Sequence, residues 1–178
     1  MNLFAWAKGL LVEPGKTWAM IASTPMTRMS LLAGYVLPCA AIPSIASAIG
    51  TFLGGNMPHI GELAVSYVIA VLSVLIMGAI APPLAARFGA SADAEAGMKL
   101  AAFAPTGAWL GGLALIVPSI GGLLALIGAL YTLYLFYDGA QHLFPVAPAR
   151  ARMLGFSVVL ASILLNMLIG LAVGILAH

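Results

Sequence analysis

Two apolar runs of 18 residues, Leu100–Val117 and Ile120–Tyr137, are separated only by Pro118 and Ser119. An α-helix rises about 1.5 Å per residue, so each run reaches about 27 Å, enough to cross the roughly 30 Å hydrocarbon core of a bilayer. Two residues leave no room for a soluble connection, so the second run has to return through the membrane. A helical hairpin in lipid is therefore the fixed point around which the other residues are placed.

A water-facing surface cannot be assembled from the remaining inventory. Charged residues make up 7% of the chain and hydrophobic ones 63%, with mean hydropathy +1.12, against about 25% charged residues in soluble domains. The apolar stretches are continuous, not the alternating strands of about ten residues that build a β-barrel. The expected fold class is all-α, a polytopic membrane protein with five transmembrane helices preceded by short amphipathic interfacial helices. The chain divides into a cytoplasmic or interfacial segment, 1–30, and one membrane domain, 31–178. Cys39, the lone cysteine, lies in an apolar run and has no partner for an intramolecular disulfide.

Within 1–30, Leu3, Phe4, Ala7, Leu10 and Leu11 share one helical face, the spacing of an amphipathic helix. Glu13-Pro14 restarts a helix, with proline at the first position and an acid near its positive end. Trp18, Ile21 and Ala22 form a second apolar face. Two short helices in the headgroup layer are expected, the alternative being a disordered tail.

Span one covers about 31–53 and is kinked by Pro38 and Pro43, each of which removes a backbone hydrogen bond. Ala46-Ser47-Ala48 resembles a signal-peptidase site, but the leader before it, carrying two tryptophans, is too long for a signal n-region. Span two covers about 63–86 and ends in Pro82-Pro83. In the following loop, Ser91-Ala92-Asp93-Ala94-Glu95 reads as an N-cap with acids in the first turn, so the next helix starts near Ala92. Spans three and four are the hairpin, about 100–117 and 120–137, with a helix stop at Asp138-Gly139. Span five covers about 153–177.

This division sorts the charges. Lys8, Lys16, Arg28, Arg87, Lys99, Arg150 and Arg152, all seven basic residues, fall on one side of a five-span arrangement. A span missed or added would scatter them. Positive-inside bias then puts the N-terminus in the cytoplasm and His178 on the periplasmic or extracellular side.

Chemistry is sparse. His59, His142 and His178 are divided between the two sides and no HxxxH or CxxC spacing exists, so no metal site is expected. GxSxG and phosphate loops are absent, Cys39 has apolar neighbours, and Asp93 and Glu95 are explained as helix caps. The expectation is a non-enzyme with no catalytic residue, no cofactor and no nucleic-acid partner. No acid or base lies at mid-depth of a span, which weighs against a proton-coupled pump or ion carrier.

Three polar or helix-breaking positions are candidates for intramembrane structure. Asn166 and Ser73 lie halfway along spans five and two and are expected to be hydrogen-bonded neighbours, interhelical glue in preference to a substrate site. Pro105 sits one turn inside span three and frees a carbonyl near Ala101, which predicts a kink. Span four carries Gly128, Tyr131, Tyr134 and Asp138 on one stripe. The stripe reads as a groove with an acid at its mouth opposite Arg150 and Arg152, or as interface anchoring plus a helix stop, the favoured reading. Gly50-xxx-Gly54, Gly107-xxx-Gly111 and Gly170-xxx-Gly174 are close to chance for 20 glycines, so they do not argue for dimerisation.

Several of these stretches together resemble the YIP family (Ypt-interacting proteins), five-span membrane proteins. The likeness rests on Leu11-Val-Glu-Pro14-Gly-Lys-Thr-Trp18-Ala-Met-Ile21 before span one, and on Phe88-Gly89 with Ser91–Ala96 before span three. Ala101-Ala-Phe-Ala-Pro105 and the hairpin end Leu133-Tyr134-Leu-Phe-Tyr137-Asp-Gly139 complete it. Eukaryotic members of the family are implicated in vesicle traffic and contact with prenylated Rab GTPases, and carry a long cytosolic N-terminal segment. With only residues 1–30 ahead of span one, that role is not carried over. The resemblance implies a bacterial member in the inner (cytoplasmic) membrane, and it brings no catalytic residues.

The functional expectation is an integral membrane protein acting through contacts with membrane lipids, a membrane-protein partner or a second copy of itself. Tyr131, Tyr134, Asp138, Arg150 and Arg152 form the candidate interaction surface. The alternative is a small transporter or lipid-translocating protein, suggested by the prolines in spans one and three.

Overall fold

A computed structural model of the chain describes residues 3–91 and 93–176; Ala92 and His178 lie outside the described residues. Helix α1 (Leu3–Val12) and helix α2 (Pro14–Ser23) form the N-terminal pair, with Pro14 opening α2. Proline suits a helix start because its missing N–H would find no partner there. Ala7 and Leu10 of α1, and Trp18 and Ile21 of α2, are buried, whereas Phe4, Leu11 and Ala22 are exposed. The expected apolar faces are therefore split. Trp6, half-buried, joins the inner side of α1 and packs on Phe103 at 5.9 Å between ring centres.

Among the described residues five helical stretches are long and apolar enough to cross a membrane. Span one, Arg28–Leu53, comprises α3 (Arg28–Leu31), a π-helical turn (Leu32–Val36) and α4 (Leu37–Leu53). Thr27 caps it, its hydroxyl accepting the Ser30 N–H at 3.1 Å. The wide turn lies immediately before Leu37-Pro38, where proline supplies no donor for the regular ladder. Span two is α5 (Ile60–Ala86), which runs without interruption through Pro82 and Pro83.

Span three, Ala94–Ile116, is broken into α6 (Ala94–Phe103), α7 (Thr106–Gly111) and a 3₁₀ turn (Gly112–Ile116). Its cap is Asp93, whose carboxylate accepts the Glu95 N–H at 2.8 Å, so the helix starts two residues later than expected. Span four is α8 (Gly121–Leu143) and span five α9 (Pro148–Leu176). The expected stop at Asp138-Gly139 does not occur, because Gly139 is the place where α2 lands on α8. A Cβ there would stand 2.6 Å from Trp18 Cζ2.

Span three is the central element. Of its most apolar window 56% is buried, against 17–28% in the other four. Glycines let its neighbours close in: a Cβ on Gly97 would meet Pro82 of α5, one on Gly112 would meet Pro43 of α4, and Gly107 and Gly111 lie against Gly128 of α8. Burial is concentrated in the half of the bundle that carries the basic residues, here called the basic face. Buried positions are Val74–Ala85 in α5, most of α6, Leu135–Leu143 in α8 and Leu154–Ser162 in α9, each at its helical period. Outside them, α9 from Ile163 to Ile175 contains no buried residue. At the other end spans one, three and four stay in contact, through Gly50 against Leu115 and Gly121 against Ala114, while span five is unburied.

Candidate functional site

At the basic face α2 and the loop after it are tied to α6. Lys99 Nζ, with its stem buried, lies 2.8 Å from Glu95 Oε1 and donates to the Ala22 carbonyl at 3.4 Å. The same Glu95 oxygen accepts the Met26 N–H at 3.0 Å. On the other side of α2 the Tyr131 hydroxyl donates to the Leu10 carbonyl at 2.8 Å. That bond satisfies one of the last carbonyls of α1, which have no partner inside the helix.

The predicted surface is divided. Tyr131 and Tyr134 stack at 5.5 Å, tilted by 35°, and Tyr134 is exposed. Asp138, one turn further along α8, has His142 as its neighbour: Nδ1 sits 2.9 Å from the Asp138 carbonyl and 3.6 Å from Oδ1. Asp138 Oδ2 is buried without a hydrogen-bond donor. Arg150 and Arg152 are exposed at the start of α9, and a Cβ on Gly89 would meet Arg150 at 3.2 Å. Arg150 therefore lies by the loop between spans two and three, and no ion pair joins either arginine to Asp138 among the described residues. His142 has a signal in the sequence, since it lies four residues after Asp138 on the same helical face.

Spans two, three, four and five enclose a groove of about 670 Å³. One wall is α5 from Ser66 to Met77, another is α8 from Ala129 to Phe136, and a third is α9 from Ser162 to Met167. The back is Pro105, Ala108 and Trp109, at the break in span three. Ser73 and Asn166 both line it without bonding to each other. The Asn166 amide donates to the Ser162 carbonyl at 2.8 Å, and Ser73 Oγ is buried with no partner. Ser66 and Ser162 donate to Leu63 and Val159 of their own helices, at 3.0 and 2.7 Å. Ser66, Ser73 and Met77 are spaced 7 and 4 apart, one face of a helix, which is the signal that marks this wall in the sequence.

Pro105 interrupts span three as expected, and the freed backbone is covered from two sides. Thr106 Oγ1 donates to the Phe103 carbonyl, and the Tyr35 hydroxyl of span one lies 2.7 Å from the same Thr106 oxygen. Thr132 of α8 accepts the Ala108 N–H at 2.8 Å. A broken helix buried among its neighbours is the condition under which lipid tolerates one. Among the described residues no three His, Cys, Asp or Glu side chains gather where a metal could be held.

The comparisons with known proteins give one match. No curated protein and no solved structure matches the chain. The family model of the Yip1 domain matches residues 8–174, nearly the whole length and all five membrane-spanning helices, and the chain belongs to the Yip1 domain family.

Proposed function

We propose that the protein acts without catalysis, holding a protein or lipid partner at its basic face. The observation that carries this reading is Asp138 Oδ2, a buried carboxylate oxygen with no donor, next to the exposed Tyr134. An unmet acceptor of this kind costs about 1–3 kcal/mol or more when charged, and an ammonium or guanidinium group from a partner would satisfy it. Positive-inside bias supports an orientation with this face in the cytoplasm of a bacterium, the C-terminal end on the far side of its inner membrane.

The groove gives the transporter or lipid-translocator reading its own support. Against it stand Val74, Met77, Ala81 and Ala85 of α5, all buried toward the basic end. Binding is therefore the better-supported role.

The test is co-purification. Native protein and the triple variant Asp138→Ala, Arg150→Ala, Arg152→Ala are isolated in mild detergent, and bound proteins and lipids are identified by mass spectrometry. A partner lost from the variant supports the reading. A variant that retains everything the native chain carries sinks it.

A further inference from the structure

We infer that the groove behind Pro105 holds one acyl chain of a lipid from the leaflet opposite the basic face. Its size lies within the roughly 300–1,000 Å³ of small-molecule sites. Its length points to the occupant. Ser66 to Met77 along α5 is about 16 Å of helix, the reach of one lipid chain in a leaflet about 15 Å deep, and it extends from the far leaflet to one helical turn past Ser73 at mid-span. Its direction agrees, because α5 begins at Ile60 on the side opposite the basic face and the groove ends against Met77 and Phe136, where the closed core starts.

The hydrogen-bond inventory favours hydrocarbon over a headgroup. Ser66, Ser162 and Asn166 donate to carbonyls of their own helices, and Thr132 accepts the Ala108 N–H. Ser73 Oγ is buried within the wall and not presented to the space. What remains on the surface is Ile69, Ala70, Ala129, Leu130, Ile163 and Met167.

A second copy of the chain fits less well. A transmembrane helix is about 10–12 Å across, so 16 Å of one fills about 1,300–1,800 Å³, two to three times the groove. The rim supplies the lipid directly, since Val65, Leu72, Leu164 and Leu168 are exposed apolar residues on spanning helices. This inference stands apart from the basic-face reading.

Native mass spectrometry of the whole chain in mild non-ionic detergent tests it. Ala70→Phe and Ala129→Phe fill the groove from two walls, and Leu123→Phe, exposed on α8 and outside the lining, is the control. Native protein and control should carry one phospholipid each, and both filling variants should lose it by about tenfold with helical content unchanged. Lipid retained by the filling variants, an empty native protein, or a second copy in place of lipid overturns the inference. A second measurement reads the native groove without filling it. In vesicles of phosphatidylglycerol brominated at mid-chain, the emission of Trp109 (native minus Trp109→Phe) should be quenched. An unquenched Trp109 overturns the inference as well. The Asp138, Arg150, Arg152 triple variant should keep the groove lipid, so the two readings fail separately.

Discussion

The Trp18 ring lies against Gly139, so that a Cβ on Gly139 would stand 2.6–2.7 Å from its ring carbons and 2.8 Å from Leu100 Cδ1. This contact fixes α2 on the closed end of the bundle, since both Trp18 and Leu100 are fully buried. An indole ring cannot flex as an alkyl chain does, so added volume displaces the whole helix. Gly139→Ala should cost about 1–3 kcal/mol, the usual cost of overpacking, and lower the melting temperature. Trp18→Phe in the same chain should recover part of the loss, because residues in contact are non-additive. Equal melting of Gly139→Ala and native protein would show that α2 is not held here.

That contact also explains where the sequence misleads. Asp-Gly reads locally as a helix stop, and the reason for Gly139 lies 121 residues away at Trp18. The five spans are legible because span length and hydropathy are local properties. So is the Pro105 break, which proline imposes on its own helix. The faces of α1 were half legible: 3.6-residue periodicity finds an apolar stripe, but in a membrane protein the outward side is also apolar, so Phe4 and Leu11 join it. The groove as a whole could not be read, because it is made by four spans, although the spacing of Ser66, Ser73 and Met77 marks one wall. Ser73 and Asn166, expected to bond to each other, both line the groove, yet Asn166 bonds within its own helix and Ser73 Oγ has no partner.

The hairpin crossing of spans three and four should depend on glycine. A Cβ on Gly128 would meet the Gly107 carbonyl and stand 2.8 Å from Gly111 Cα, whereas Gly170 and Gly174 have nothing within 4 Å. Backbone cannot step aside as a side chain can. Gly128→Ala should therefore destabilise the protein clearly, in the range of about 1–3 kcal/mol, while Gly170→Ala should be neutral or slightly stabilising from its better helix propensity. Thermal unfolding in detergent, both variants side by side, decides it; a cost for Gly170→Ala as large as for Gly128→Ala would contradict the assignment.

Glu95 and Lys99 predict a graded series. Lys99→Met keeps the buried stem and removes the ammonium, so only the ion pair and the Ala22 contact are lost. Glu95 is 44% exposed in its side chain, which screens the pair to about 1 kcal/mol or less. Lys99→Ser also removes the stem and should cost more, since long basic side chains cover apolar surface with their methylenes. Limited proteolysis between Ser23 and Arg28 should follow the same order. If Lys99→Met opens this loop as much as Lys99→Ser, charge and not packing holds it.

The proposed orientation is testable without purification. A reporter inserted in the loop Arg87–Lys99 should behave as cytoplasmic, and one fused after His178 as periplasmic. Reversing the charge of Arg87, Arg150 and Arg152 together should weaken this bias, because orientation follows Lys and Arg counts in short loops. A cytoplasmic C-terminal reporter would contradict the odd number of crossings.

Tyr35 and Thr106 give the sharpest ordering. Both are fully or nearly fully buried, and Thr106 Oγ1 stands between the Phe103 carbonyl and the Tyr35 hydroxyl at the break in span three. Tyr35→Phe removes one hydrogen bond and leaves Thr106 satisfied by Phe103, so it should cost about 0.6 kcal/mol, the average for such bonds in membranes. Thr106→Val removes both bonds and leaves the Tyr35 hydroxyl without a partner in the core, which costs about 1–3 kcal/mol. Adding Tyr35→Phe to Thr106→Val should then restore stability, because it deletes the unpaired group. The signature is a double variant more stable than one of its parents. If Tyr35→Phe and Thr106→Val simply add, the hydroxyl pair is not what closes the helix at Pro105.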